Sequence, residues 1–210
     1  FEAFCARLEA QGLGRPMKHI SNSAAAILWP DRCHDLARTG IASYGMWPSR
    51  EAHVAAMLAG RHKLELRPAL HWTGQIAQVK DVPAGAYIGY GCTFRTTHPT
   101  KLAILPVGYY DGYPRSLSNI AHAHIAGCRA PVRGRVCMNI TMVDVTDIPT
   151  AKLEGEAVLL GRSGDEEITA EQIGEWAGTI NYEVTTRINE RIPRVRLAPT
   201  HTKIQMKGLV

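Results

Sequence analysis

The feature that most constrains the fold is a change in hydrophobic periodicity near residue 65. The segments before it are "EAFCARLEAQG", "MKHIS", "NSAAAILW", "DRCHDLARTG" and "EAHVAAMLAG". The second is typical of a short strand, and the others have helical or helix-like spacing. Asn22 or Ser23 can cap the helix in "NSAAAILW", and Pro30 ends it. Strands alternating with helices indicate the βαβ units of a parallel sheet or barrel.

After residue 65 the sequence favours short strands separated by turns rich in Pro, Gly and Asp. The strand-like segments are "LELRPALHWTGQIAQV", "KLAILPVGYY", "AHAHIAG", "RVCMNITMVDV" and "EAVLLGRSG". A helix in "TAEQIGEWAG" can begin at Thr169 and end at Gly178, and a second in "NYEVTTRINERI" would stop at Pro193. The sequence therefore predicts an α/β part over residues 1–64 and a β-rich domain over residues 65–210.

Composition excludes several classes of protein. With 45% hydrophobic residues, the 210-residue chain can bury a core for one or two domains. No apolar run reaches the ~20 residues needed to span a bilayer, and the start resembles an amphipathic helix rather than a signal peptide. A net charge of +5 from scattered basic residues does not favour nucleic-acid binding. The missing initiator Met predicts that the chain begins inside a larger protein.

Cysteine and histidine spacing predicts no disulfide framework and no metal site. The five cysteines are Cys5, Cys33, Cys92, Cys128 and Cys137. An odd, dispersed set without C-x-x-C pairs predicts free thiols in a reducing cytoplasm. His122 and His124 lie two residues apart in "AHAHIAG", with no carboxylate or thiol nearby, so we expect a solvated strand face rather than metal ligands.

Tyr90 lies between Gly89 and Gly91 in the strand-like stretch "YIGYGCTF". Glycine in a strand marks a bulge, or a place where a ligand or another backbone comes close. Two interpretations therefore stay open at this point. The tyrosine is either a half-exposed residue at a bulge or part of a site.

Three further short features carry chemistry. In "HISNSAA", Ser23 opens a helix after a strand, where a hydroxyl and free N–H groups suit a phosphate. In "RTGIASYG", Gly40 leaves the backbone open, and in "VGYYDGYPR" a second tyrosine, Tyr109, follows a glycine. Taken singly, each has an ordinary structural explanation, such as a helix cap or a surface turn.

In this order, the features resemble the second half of the PLP-dependent alanine racemases, from residue 19 to about 196. The resemblance depends on "HISNSAA", "RTGIASYG", "GYGCTF", "LPVGYYDGYPRSL", "APVRGRVCMNITMVDVTD", "INYEVTTRI" and "RIPRV". It implies the last part of a (β/α)8 PLP-binding barrel followed by a β-rich C-terminal domain. It also implies a cytoplasmic isomerase that interconverts L-alanine and D-alanine, supplies D-alanine for peptidoglycan, and works as a head-to-tail homodimer with shared active sites.

On the cofactor side, the resemblance implies that Ser23 and the backbone of Gly40 and Ile41 hold the phosphate of pyridoxal 5'-phosphate. Arg38 would face the pyridine nitrogen, with His19 supporting it. A guanidinium cannot give up its proton, because its pKa exceeds ~12, so the ring nitrogen would stay unprotonated. The cofactor would then be a weaker electron sink, which disfavours side reactions.

On the substrate side, the resemblance implies that Tyr90 is the catalytic base and acts on the cofactor of the other protomer. Tyr109 and the backbone at Met138 would lie beside the substrate carboxylate and the cofactor. Asn139 occupies a position where many members carry aspartate, so substrate preference can differ. Racemisation removes a proton from one face of Cα and returns a proton to the other face, which two bases on opposite faces do most directly. A tyrosine base needs nearby cations to lower its pKa from ~10.

The sequence also departs from the family. Nothing resembles the "VKANAYGHG"-like motif with the lysine that attaches the cofactor, so we expect a portion of the enzyme that lacks the first half of the barrel and is inactive alone. Glu190 stands where some members place a phosphate-contacting tyrosine, and a carboxylate would repel phosphate. The alternatives are a broader-specificity or serine racemase, and a non-catalytic remnant or dimerisation module.

Overall fold

A computed structural model describes residues 1–197, and the tail "APTHTKIQMKGLV" lies outside the described residues. The chain divides into two compact units. Of the described residues, the first unit contains 1–73 and 158–168, and the second contains 74–157 and 169–197. The predicted domain boundary between residues 64 and 65 stays a prediction.

The first unit contains three helices where the sequence predicted them. They are α1 (Glu2–Ala10), α2 (Ser23–Leu28) and α3 (Arg50–Leu58). Asn22, and not Ser23, caps α2, because its Oδ1 accepts a hydrogen bond from the N–H of Ala25 at 3.0 Å. A side-chain oxygen at this position satisfies an N–H group that has no partner within the helix.

Two predictions in the first unit are wrong. "MKHIS" forms no strand, because Asn22 pairs with Arg38 only in an isolated parallel bridge, and a single bridge is not a ladder. "DRCHDLARTG" forms only a 3-10 turn at Pro30–Arg32, because His34 has a φ of 56°, which an α-helix cannot contain.

In the described residues, ten short strands follow the first three helices. They are β1 (Trp72–Gln75), β2 (Gln78–Val82), β3 (Tyr87–Ile88), β4 (Phe94–Arg95), β5 (Thr100–Leu105), β6 (His122–Ile125), β7 (Cys128–Pro131), β8 (Thr141–Asp144), β9 (Glu156–Ser163) and β10 (Glu166–Ile168). The division between the two units passes through β1 and β9.

The strands inside each unit pair in antiparallel fashion. In the second unit β5 lies between β2 and β8, so that Ala103 is opposite both Val79 and Val143. The hairpins β3–β4 and β6–β7 belong to the same unit, and β9 pairs with β10 in the first. Leu105 and Ala103 are fully buried, and burying a leucine side chain contributes roughly 1.5–3 kcal/mol.

Both helices predicted in the β-rich part are present, as α4 (Ala170–Ala177) and α5 (Asn181–Arg187). Thr169 caps α4 through its Oγ1, which accepts from the N–H of Gln172 at 3.1 Å, and Gly178 ends it with a φ of 71°. The prediction that α5 continues to Pro193 is wrong. The residue after Arg187 is extended, and the N–H of the next residue bonds the carbonyl oxygen of Asp111 instead of continuing the helix.

The expectation of a solvated strand face for His122 and His124 is also wrong. His124 is 0% exposed, and His122 is half-buried with its ring edge against Trp176. Ala123 is buried on the opposite side of β6, so both faces of this strand are covered. Within residues 1–197, no group of three or more His, Cys, Asp or Glu side chains could hold a metal ion.

All five cysteines carry free thiols, of which Cys5 is buried and Cys92 and Cys128 are exposed. Among the described helices, none is long and apolar enough to cross a membrane.

Candidate active site

Ser23 and the segment that begins at Gly40 form a small cradle in the first unit. Ser23 lies in the first turn of α2 and is 4% exposed. Its Oγ accepts hydrogen bonds from the backbone N–H groups of Gly40, at 2.9 Å, and Ala42, at 3.4 Å. The bridge between Asn22 and Arg38 aligns the two segments. The structure therefore brings together the residues predicted to hold a phosphate, and adds Ala42, which the sequence interpretation missed.

The cradle has capacity for an anion. The N–H of Ile41 makes no hydrogen bond to any residue in the described part of the chain. A Cβ built on Gly40 meets nothing within 4 Å, so the backbone there is unobstructed. Phosphate oxygens accept hydrogen bonds from backbone N–H groups and hydroxyls arranged in this way. These residues fit the phosphate of a cofactor such as PLP.

Arg38 reaches the same part of the unit. Its backbone N–H donates to the carbonyl oxygen of Ser21 at 2.8 Å, and its exposed guanidinium makes one long hydrogen bond of 3.4 Å to the carbonyl oxygen of Ile20. His19 is exposed and immediately precedes Ile20. No hydrogen bond joins the side chains of His19 and Arg38 in residues 1–197. Support of Arg38 by His19 therefore stays a prediction.

Tyr90 lies on a tight turn between β3 and β4 in the second unit. The segment is a 3-10 turn, Tyr90–Cys92, and not the strand that the sequence predicted. Gly89 and Gly91 both have a φ of 72°, in the left-handed region that favours glycine, which explains why the chain leaves the strand here. The side chain of Tyr90 is 76% exposed. Its own unit leaves the phenol open to solvent.

The two glycines beside Tyr90 mark a close approach by Arg135. A Cβ on Gly89 would lie 3.3 Å from the backbone nitrogen of Arg135, and a Cβ on Gly91 would lie 3.3 Å from its Nε. The approach of another backbone is one of the possibilities that the glycine pattern left open. Sequence reasoning missed the guanidinium of Arg135, because the contact joins residues more than forty positions apart.

Tyr109 and Met138 lie on two turns that are hydrogen-bonded to each other. The N–H of Tyr109 donates to the carbonyl oxygen of Cys137 at 3.0 Å, and the N–H of Tyr110 donates to that of Met138 at 2.8 Å. A Cβ on Gly108 would lie 2.1 Å from the carbonyl oxygen of Cys137, so the two turns can meet only at a glycine. The structure thus brings together the two residues predicted to lie beside a carboxylate.

The surface beside these turns can accept an anionic group. The backbone N–H of Met138 makes no hydrogen bond to any described residue. The side chain of Met138 is 56% exposed and that of Tyr109 is 44% exposed. Asn139 is exposed too, on the same turn. An unpaired N–H group and a phenol are donors that suit a small carboxylate.

A buried tyrosine in the same segment provides a contrast. Tyr113 is 1% exposed, and burial raises the pKa of its phenol well above the ordinary value. A phenol that is so costly to ionise is unsuited to accept a proton. Of the glycine-adjacent tyrosines in the second unit, the exposed ones on turns, Tyr90 and Tyr109, are the candidates for chemistry.

The predicted residues therefore fall into two groups, one in each unit. Solved structures with the same fold identify the class of protein. The chain matches alanine racemase from Bacillus anthracis with bound L-Ala-P at a TM-score of 0.85 and 34% identity, over 95% of this chain and 49% of that chain. It matches alanine racemase from D-cycloserine-producing Streptomyces lavendulae at 0.83 and 39%, over 94% and 50%. The predicted fold class, the last part of a barrel followed by a β-rich domain, is confirmed.

The chain belongs to the alanine racemase family. The family of the alanine racemase N-terminal domain matches residues 1–48, and that of the C-terminal domain matches residues 69–196. A curated alanine racemase from Leptospira interrogans serovar copenhageni is 44% identical over 184 residues, which is 88% of this chain and 47% of that protein. One from Methanococcus maripaludis is 40% identical over 94% of this chain and 51% of that protein. The chain spans about half the length of these relatives.

Proposed function

We propose that this chain is part of an alanine racemase that interconverts L-alanine and D-alanine with pyridoxal 5'-phosphate. The family supports the reaction, and the arrangement of the two turns around Met138 supports a carboxylate substrate. Because the chain covers about half of its relatives, the complete site would also need the first half of the barrel, with the lysine that attaches the cofactor. Production of D-alanine for peptidoglycan, in the cytoplasm, belongs to the same proposal.

The first unit would hold the cofactor. The hydroxyl of Ser23 and the backbone of Gly40 and Ile41 would bind its phosphate, and the unpaired N–H of Ile41 and the open space at Gly40 support this. Arg38 would lie against the pyridine nitrogen and would leave it unprotonated, because a guanidinium has no proton to give up at neutral pH. When bound, PLP withdraws electrons from Cα and so makes the α-proton more acidic.

The second unit would supply a base and a carboxylate site, and we propose that it does so for the cofactor of a second copy in a homodimer. The phenolic oxygen of Tyr90 would take the proton from one face of Cα, and the attachment lysine would serve the other face. Arg135 lies beside the Tyr90 turn, with its Nε close to Gly91. The N–H of Met138 and the phenol of Tyr109 hold the substrate carboxylate.

The exposure of Tyr90 carries this proposal. A tyrosine held on a glycine turn with 76% of its surface accessible has no structural role inside its own unit. A second copy whose substrate covers the phenol would explain it. A non-catalytic module would need no accessible phenol and no open phosphate cradle.

The test compares Tyr90→Phe with Tyr87→Phe in the protein completed with the first half of the barrel. Both tyrosines are exposed and lie on the same hairpin, three positions apart, so Tyr87→Phe is a matched control. Losing a general base lowers the rate by ~10²–10⁴-fold, so Tyr90→Phe should reduce exchange of the α-proton of L-alanine in deuterated buffer by at least about 100-fold. Tyr87→Phe should stay within about twofold of the parent rate.

If Tyr90→Phe exchanged the α-proton of L-alanine at the parent rate, the phenol of Tyr90 would not be the catalytic base. A completed protein that binds no PLP, judged by the absence of the visible absorbance of the bound cofactor, would favour the non-catalytic module instead. Racemase activity on serine and on larger amino acids, compared with activity on alanine, tests whether the protein with asparagine at position 139 accepts a broader range of substrates.

A further inference from the structure

Asn189, two residues after the end of α5, is tied to the turn that carries Tyr109. Its Nδ2 donates to the carbonyl oxygen of Tyr110 at 2.9 Å. Its backbone N–H donates to the carbonyl oxygen of Asp111 at 3.0 Å. Two hydrogen bonds therefore hold one turn from a segment almost eighty positions later in the chain.

We infer that Asn189 is a positioning residue for the site of the substrate carboxylate. This inference rests on the proposed racemase function and adds a residue to it. Asn189 acts through the backbone of the Tyr109 turn. It sets where the phenol of Tyr109 stands relative to the N–H of Met138.

The peptide groups on either side of Tyr110 link the two parts of this arrangement. The N–H of Tyr110 donates to the carbonyl oxygen of Met138, while its carbonyl oxygen accepts from Asn189. The turn is thus held from both sides, by the Met138 turn and by Asn189. Without the amide donor, that carbonyl oxygen loses its partner and the turn is held less firmly, although the backbone N–H of Asn189 and the guanidinium of Arg191 still bond it.

Asn189 is itself held in place before any substrate binds. Its Oδ1 accepts from the N–H of Arg191 at 2.9 Å. The guanidinium of Arg194 donates to the carbonyl oxygen of Asn189 at 2.9 Å and to that of Ile188 at 3.1 Å. A residue that is fixed by its own neighbours can orient another element at little further entropic cost.

The test uses Asn189→Ala and Asn189→Asp in the completed protein. The alanine variant removes both side-chain hydrogen bonds. The aspartate variant keeps an acceptor for the N–H of Arg191 but cannot donate to the carbonyl oxygen of Tyr110. If positioning depends on that donor, both variants should raise the KM for alanine by about five- to tenfold.

The kcat should stay within about twofold of the parent value, because a carboxylate contact holds substrate and transition state alike. The cofactor affinity should not change, because the phosphate cradle involves none of these residues. Hydrogen exchange should quicken at the N–H groups of Tyr109 and Tyr110, a readout that does not depend on activity.

Asn181→Ala is the matched control. Asn181 lies at the start of the same helix, and its Nδ2 donates to Glu171, so its loss weakens the helix at the end opposite Asn189. The KM and the exchange at Tyr109 and Tyr110 should both match the parent values in this variant. If Asn181→Ala raised the KM as much as Asn189→Ala, the effect of Asn189 would be explained by a general loss of stability, and the inference would be overturned.

Two other results would also decide the matter. An active parent whose Asn189 variants keep the KM within about twofold overturns the positioning role while the proposed function stands. A completed parent without racemase activity overturns the proposed function, and this inference with it.

Discussion

Asp144, at the end of β8, makes the stability of the second unit depend on pH. Its Oδ2 accepts from Nε of Arg133 at 3.3 Å, and its Oδ1 accepts from the N–H and hydroxyl of Thr146 at 3.1 and 2.6 Å. Burial by itself would raise the pKa of this carboxyl. The hydrogen bonds from Thr146 and Arg133 together outweigh burial and bring the pKa below its ordinary value.

We therefore predict a pH-dependent effect of Asp144→Asn. A carboxyl with a lowered pKa stabilises the fold fully above its unfolded pKa of ~3.9, and this contribution disappears as the pH falls through the folded value. At pH 7 the variant should lose about 1–2 kcal/mol of unfolding free energy in urea. At a pH below the folded value the two proteins should converge. A difference that persists in acid, or an equal loss in the exposed control Asp147→Asn, would contradict this account.

Among individual residues, the sequence identified the candidate site side chains more reliably than the residues that contact them. Tyr90 could be singled out because the glycines on either side of it are its direct neighbours in the chain. Arg135 and Asn189 could not, because their roles come from contacts with residues more than forty positions away. The burial of His124 was missed for the same reason, since a two-residue spacing does not reveal what covers each face of a strand.

Among the elements, α4 is the helix whose ends are most fully specified by local residues. Thr169 supplies the capping oxygen and Gly178 supplies the left-handed residue after the last turn. Thr169→Ala should lower the unfolding free energy by about 1 kcal/mol, because an N–H group at the helix start loses its partner. Neither substrate KM nor kcat should change. Urea unfolding measures the first effect, and steady-state racemase kinetics measures the second.

Gly178 provides a second variant for the same helix. A Cβ on Gly178 meets nothing within 4 Å, so Gly178→Ala tests backbone conformation alone. It should cost about 1 kcal/mol, and Gly178→Asn less, because asparagine tolerates a positive φ better than alanine. Equal losses in the two variants would mean that strain at φ does not decide the end of α4.

Elements built from local signals were predicted well, and those that need a distant partner were not. The helical periodicity of α1 to α4, and the side-chain caps of α2, α3 and α4, lie within single segments, and these helices formed as expected. "MKHIS" does not form the predicted strand, because its described neighbours provide one bridge and no further pairing. The strand predicted in "RVCMNITMVDV" is limited to β8, because a hydrogen bond between Cys137 and Ile140 closes a turn before it.

For the whole molecule, the order of motifs predicted the family, and the comparisons confirmed it. The residue roles were not reachable from periodicity or composition. They came from the resemblance, and the structure adds the geometry within each unit. The share of relatives covered, about half, is why the activity of the complete protein has to be tested with the missing part of the barrel.

The separation of the Ser23 cradle and Tyr90 into different units has a genetic consequence under the proposed dimer. Two alleles that each encode an inactive protein can complement each other. A protein with a substitution at Arg38 and a protein with a substitution at Tyr90 would each be inactive alone. A mixed dimer would contain one intact site, formed by Arg38 of one subunit and Tyr90 of the other. Random pairing of equal amounts should return about a quarter of normal D-alanine formation, because half of all pairs are mixed and each has one working site. No recovery in cells that express both copies would mean that each subunit completes its own site.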